Sequence, residues 1–259
     1  MPGLNPSSHR LPALAAVLAL ACLGSAQVRA DIYDEAVAHP GRPDKDVQRD
    51  ALDHPAEVLR LAGLKPGMKV GDLMGANGYY AELVSYIVGP KGHVYILNNV
   101  AYDNWGENRW KQRIEGRLPN VEHRTEDLEH LDLPDHSLDA VLLIKVYHDL
   151  YWVDEDPKDQ WPKYDVSRVL SEVARVLKPG GTLLLVDHSA KPGTGNSAAG
   201  ALHRIDEAYA QADFEKHGFK LVGKSDVLRR PDDARDQLTY EGPMVGKTDR
   251  FVLVLRKNP

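Results

Sequence analysis

Cysteine is almost missing from this chain of 259 residues: Cys22 is the only one. It falls within the first thirty residues, so the rest can form no disulfide, no thiolate metal site and no cysteine nucleophile. Positive charge is also short, with 32 Lys and Arg against 38 Asp and Glu, a net of −6. That balance argues against nucleic acid or an anionic membrane as the main partner. Internal repeats and low-complexity tracts are absent. One charge-free apolar run exists, "LPALAAVLALACLGSA", and its sixteen residues fall short of the roughly 20 that span a bilayer.

That run instead gives residues 1–30 the layout of a secretory signal peptide: a start whose one charge is Arg10, a short apolar middle and small residues at the end. Cleavage after Ala26 or after Ala30 fits, and a periplasmic or secreted location is the expectation. Cys22 in "LALAC" makes a poor lipid-attachment box, because Ala19 stands where leucine is usual. The first thirty residues hold Arg10 and Arg29 and no acid, so their removal takes the net charge to −8. What remains, about 229 residues, can bury a core large enough for one domain without disulfides. Residues 31–54 are polar and proline-punctuated and are expected to form an N-terminal arm; residues 55–259 are expected to form the folded domain.

From residue 55 onward the hydrophobic pattern alternates between strand and helix. "PAEVLRLAGL" reads as a helix opened by Pro55 and closed near Gly63. "MKVGDLM" and "HVYILN" read as strands with the helix "YYAELVSYIV" between them, "NRWKQRIEGRL" as a helix and "NVEHRTE" as a third strand. "LDAVLLIKVY" is apolar almost throughout, which suits a strand buried on both faces. "DVSRVLSEVARVL" places Val166, Val169, Leu170, Val173 and Val176 on one helical side, "KPGG" stops it, and "TLLLVDH" is the next buried strand. One helix is expected across "GALHRIDEAYAQADFEKHGF". Two strands, "KLVGKSDVL" and "DRFVLVLRK", close the chain with only a polar loop between them, which favours antiparallel pairing at one sheet edge. The expected fold is α/β: a Rossmann-like, mostly parallel, seven-stranded sheet with a C-terminal antiparallel hairpin and helices on both faces.

Glycine is scarce where it would matter most. In "GDLMGANGYY" a strand feeds a turn that holds Gly75 and Gly78 only, before a helix resumes. Such a turn points backbone N–H groups and a positive helix end at a ligand.

This order of elements resembles the class I S-adenosylmethionine (SAM)-dependent methyltransferases, through "VGDLMGANGYY", "EDLEHLDLPDHSLDAVLL", "RVLKPGGTLLLVDH" and the closing "FEKHGFKLVGKSDVL" with "RFVLVLRK". Within that superfamily it is most similar to a group of exported predicted methyltransferases, through "RPDKDVQRD", "HPAEVLRLAGLKPGMKV", "VYHDLYW", "VDHSA", "LHRIDEA" and "GKTDRFVLVLRK". The resemblance implies SAM as cofactor, with Asp72 as the acid that opens the loop motif. Met74, Ala76 and Gly78 then fall where the family pattern has three glycines, with Gly75 between them. It also places Asn98 where relatives carry a carboxylate for the ribose hydroxyls, and Asp127, beside Glu126, near the adenine amino group. An amide accepts a weaker bond than a carboxylate, so weaker or altered cofactor binding is implied. The missing acid and incomplete G-x-G-x-x-G also count against a nicotinamide dehydrogenase.

On the substrate side, His148, His188 and His203 follow strand ends or open the next element, each with an acid nearby: Asp149, Asp187, and Asp206 with Glu207. His148, with Asp149 and His188, is the expected base or substrate orienter. Tyr147, Tyr151, Trp152 and Trp161 offer aromatic area for a pocket wall. His148, His188 and His203 could be drawn together around a metal, but no compact motif such as H-x-x-x-H appears and no metal is expected. Two readings stand at this level: a methyltransferase acting on a small or envelope-associated acceptor, or a non-catalytic binding or scaffold protein that reuses the fold.

Overall fold

In the computed structural model the described residues are 1, 3, 31–153 and 161–259; the expected signal peptide lies outside them. None of the described helices is long and apolar enough to cross a membrane. The chain enters through α1 (Ile32–Val37), capped by the Asp31 carboxylate, then α2 (Asp44–Asp53) and α3 (Pro55–Ala62). The segment expected as an arm is thus two helices, and α1 packs against both α3 and the first helix of the sheet domain.

The strands and helices then alternate: β1 (Lys69–Leu73), α4 (Tyr79–Val88), β2 (His93–Asn98), α5 (Val100–Trp105), α6 (Trp110–Ile114), β3 (Val121–Thr125) and β4 (Leu138–Ile144). A short 3-10 turn (His148–Tyr151) follows β4. The chain continues through α7 (Val166–Val176), β5 (Leu177–His188), α8 (Ala199–Leu202), α9 (Glu207–Lys216), β6 (Phe219–Ser225) and β7 (Arg250–Lys257). One seven-stranded sheet results, in the order β3-β2-β1-β4-β5-β7-β6. The first five strands run parallel, and β7 enters antiparallel between β5 and β6. The expected architecture is therefore the observed one.

Side-chain alternation on the central strands divides the core in two. Ala140, Leu142, Leu184, Val186, Val252 and Val254 meet the helices α1, α3 and α4. Val141, Leu143, Leu183, Leu185, Leu253 and Leu255 meet α7 and Phe214 of α9 on the other face. Both faces are covered, which is why β4 and β5 read as near-continuous apolar runs. In α7 the buried set is Val169, Leu170, Val173 and Val176; Val166 is only partly buried. The "KPGG" residues form a bulge: β4–β5 pairing passes from Leu138/Leu177 to Ala140/Thr182.

Two helical expectations differ from the structure. The helix expected over "NRWKQRIEGRL" is confined to five residues of α6, and α5 forms ahead of it, capped by Asn99. The single helix expected across residues 200–219 is broken after Leu202. His203 there takes a left-handed backbone at φ 49°, and Ile205 pairs with the end of β5 by donating to His188 O and accepting from Ala190 N. The break is held by Arg204, whose buried guanidinium bonds Asp233, Ser189 O and Gln237 O. A buried arginine with several partners outweighs the modest helix propensity of four residues.

Candidate active site

The sheet order reverses beside β1, which has β2 on one side and β4 on the other; ligands of open α/β sheets bind at such a point, outside the strand carboxyl ends. A cavity of about 720 Å³ lies there, walled by the loop after β1, the residues after β4 and β5, and α5. A smaller one, about 380 Å³, lies beyond it and shares Ala101 as wall.

The β1 loop is shaped by three left-handed residues, Met74 at φ 52°, Ala76 at 49° and Gly78 at 76°. These are the positions that correspond to the family's three glycines. The chain keeps the backbone path and carries side chains on it, at a cost of roughly 1–2 kcal/mol per residue. Met74 is buried and faces the apolar cluster under the sheet, yet also lines the larger cavity without filling it. Lys145 (φ 63°) and His203 (φ 49°) line the same cavity, so four non-glycine residues with left-handed backbone surround one space. Strain of that kind concentrates at ligand sites. Gly75 is required for another reason: a Cβ there would sit 2.5 Å from Asp72 Oδ2. At Gly78 a Cβ would meet Ile96 at 2.7 Å.

Asp72 is buried at the end of β1, and its Oδ2 has no hydrogen-bond partner although the residue lines the cavity. Burial pushes its carboxyl up to about 7, against the smaller lowering effects of the Ala81 N–H and Arg49. A buried carboxyl with an unpartnered oxygen, at a residue that lines the cavity, is what a cationic or hydroxyl-bearing ligand could satisfy.

Asn98 was expected to face the ribose; its side chain is fully buried and lines neither of these two cavities. Its Oδ1 accepts from Ala76 N at 3.0 Å, and its Nδ2 donates to Ala76 O at 3.0 Å and to Asp103 Oδ1 at 2.8 Å. The amide thereby clamps the left-handed Ala76 turn onto β2, a pairing that needs both a donor and an acceptor. Glu126 and Asp127 do line the smaller cavity, with Asn99, Thr125 and Tyr164. Asp127 also accepts from Glu129 N at 3.0 Å.

At the opposite wall the three histidines converge. His148 Nδ1 lies 2.7 Å from Asp187 Oδ1, and its backbone N–H donates to Asp187 Oδ2. Its Nε2 lies 3.1 Å from Asp149 Oδ1, which is also 3.1 Å from His203 Nδ1. Burial would depress His148, but the two carboxylates outweigh it and raise the ring to about 10, so as it stands the ring is a donor rather than a base. His188 is the reverse: burial and its cationic neighbours push it well below the usual range, and its Nδ1 lies 2.7 Å from Thr248 Oγ1. Of the four aromatic residues singled out, Trp152 and Trp161 line the cavity. Tyr147 and Tyr151 do not; their hydroxyls both donate to Asp213.

Several site residues carried no sequence signal. Tyr102 of α5 donates its hydroxyl to Asp149 Oδ2 at 3.1 Å. Tyr240 and Thr239, from the polar loop between β6 and β7, close the cavity beside His203. Arg49 of α2 and Lys145 enter from a buried cluster around Asp53, which also binds Arg250. Burial lowers Lys145 to about 8, with Arg49 and Arg250 adding to the effect and Asp53 opposing it.

Sheet order, loop and cavity define a Rossmann-like sheet with a ligand-sized space at its strand carboxyl ends. Residues 79–185 match the methyltransferase domain family. The ubiquinone/menaquinone biosynthesis C-methyltransferase UbiE of Vibrio campbellii is 30% identical over 191 residues, covering 72% of this chain; the chain spans 66% of that relative's length. Among solved structures, a SAM-dependent methyltransferase from Aquifex aeolicus superposes with TM-score 0.55 at 22% identity, covering 82% of this chain and 98% of that one. The [4+2]-cyclase SpnF superposes equally well, TM-score 0.55 at 16% identity, over 82% of this chain and 86% of that one. The matched domain family and the fold are those of SAM-dependent methyltransferases, and SAM is the cofactor that they imply. The residues present fit that cofactor: Asp72 carries an unpaired oxygen, and the β1 loop, with Asp72, Gly75 and Ala76, lines the larger cavity.

Proposed function

We propose that this protein transfers a methyl group from SAM to a small acceptor held in the larger cavity. The observation that carries the reading is the Asp72 carboxyl, buried and unpartnered, beside a glycine-type loop that opens into the same space as His148 and Asp149. Bound SAM supplies an electrophilic methyl group on a sulfonium. Asp72 and the loop N–H groups would hold its charged end, with Asp127 and Glu126 toward its adenine. The acceptor would lie among Tyr102, Trp152, Trp161 and Tyr240, where flat apolar walls restrict its orientation. Alignment of nucleophile and methyl is the main contribution a protein makes to such a displacement, up to roughly 7–11 kcal/mol. His148, held by Asp187 at Nδ1 and facing Asp149 at Nε2, would form with Asp149 the polar wall against which the acceptor lies. Calorimetry on the purified chain with SAM and S-adenosylhomocysteine tests the reading; absence of binding up to millimolar concentration would remove it.

A second reading has its own support. The fold also serves the [4+2]-cyclase, so binding without methyl transfer is compatible with it. Labelled SAM, incubated with the protein and an envelope extract, separates the two: a methyltransferase labels an acceptor and loses that with His148→Ala, whereas a binding protein labels nothing. We also propose export through residues 1–30, which would place the acceptor in the cell envelope. Fractionation of cells producing a C-terminally tagged chain checks this, and a cytoplasmic, full-length product would refute it.

A further inference from the structure

We propose that His148 Nε2, Asp149 Oδ1 and His203 Nδ1 form a binding site for one divalent transition-metal ion in the wall of the larger cavity. The three donor atoms lie within 4.8 Å of one another. Asp149 Oδ1 stands 3.1 Å from each nitrogen. With metal–ligand bonds of roughly 2.0–2.2 Å, neighbouring donors are separated by about 3 Å, which matches the distance from Asp149 Oδ1 to each nitrogen. Two imidazoles and one carboxylate on a single side of an ion leave further positions open, here toward the cavity that all three residues line.

The surroundings orient each ligand independently. Asp187 holds His148 at Nδ1 and is itself fixed by the backbone N–H groups of His148 and His188, so the Nε2 side is the one left facing Asp149. Tyr102 occupies Asp149 Oδ2, which leaves Oδ1 for the shared point. A carboxylate behind a histidine ligand is the usual outer support of a metal site. His203 reaches the cluster only because its backbone is left-handed, a conformation a histidine adopts at some cost. His188 does not join: its Nδ1 is engaged with Thr248. The set is therefore His148, Asp149 and His203, not the three histidines that the sequence brought to mind. Nitrogen-rich donors of this kind suit zinc, iron(II), cobalt, nickel or manganese rather than calcium or magnesium.

Titration of the chelator-stripped full chain with cobalt(II), followed by visible absorption, and with zinc by calorimetry, tests the site. One equivalent should bind and give a ligand-field band. Asp149→Asn and His203→Asn should abolish the band; asparagine keeps the left-handed preference at residue 203, so that variant preserves the turn. Asp187→Asn should weaken binding about 10–100-fold. No saturable binding by a chain that still binds S-adenosylhomocysteine would overturn the proposal and leave a hydrogen-bonded ion network only. A band that survives both ligand variants would overturn it too, by placing the ion elsewhere.

Discussion

Replacing Asn98 by aspartate separates two accounts of the cofactor loop. If residue 98 faced the ribose, the carboxylate would restore the family's acceptor and tighten SAM binding. In the structure the same change places an acid 2.8 Å from Asp103 Oδ1 and 3.0 Å from Ala76 O, and it removes the donor that both had. Two lost hydrogen bonds cost about 1 kcal/mol each. Once the two carboxylates move apart from 2.8 Å to roughly 4 Å, they repel by about 4 kcal/mol at an effective dielectric constant near 20, and protonation of one relieves part of this. His123 and Thr125 still bond Asp103 and offset some of the charge. The expected net loss is about 3 kcal/mol, or roughly 6–12 °C in melting temperature for a chain of this size. SAM affinity should fall as well, because the Ala76 turn loosens. Urea denaturation and calorimetry on Asn98→Asp read both quantities. A variant as stable as the parent that binds SAM more tightly would refute the clamp.

Ala76→Gly should stabilise the fold by about 0.5–1 kcal/mol, since relief of the left-handed strain exceeds the added freedom of the unfolded chain; a denaturation midpoint measures it. Stability should fall as pH rises from about 4 to about 7, because the folded state holds the Asp72 proton up to about 7 and the unfolded state loses it near 3.8. That carboxyl contributes up to about 4 kcal/mol to the trend, which Asp72→Asn should flatten. SAM affinity should rise over the same window as Asp72 ionises beside the cationic ligand. Asp53→Ala should destabilise by about 3–5 kcal/mol, because Arg49, Lys145 and Arg250 are left clustered with no counter-charge, and a melting curve in low salt will show it.

The succession of strands and helices and the closing hairpin were legible because they rest on local periodicity: "LDAVLLI" and "TLLLVDH" are apolar on both faces because both faces are covered. The loop was legible from Asp72, Gly75 and Gly78, whose small size or acidity answers to one backbone turn. The inward hydrogen bonding of Asn98 was not legible, because sequence spacing gives a strand position but not the partners that its side chain finds. The break at His203 depends on Arg204 finding Asp233, twenty-nine residues on, and no window of sequence contains both. Tyr240 and Arg49 enter the cavity from segments whose polarity suggested loop and arm. His148 and Asp149 could be named from their place after β4. Their arrangement with His203 around one point follows only from the packing of the end of α8 against the turn after β4.

Diffraction from crystals grown with S-adenosylhomocysteine addresses the central claim most directly. The expected density runs from Asp72 past Ala76 and into the space lined by Asp127, with Asn98 still bonded to Ala76. Density confined to another surface, or a Met74 side chain swung across an empty cavity, would contradict it.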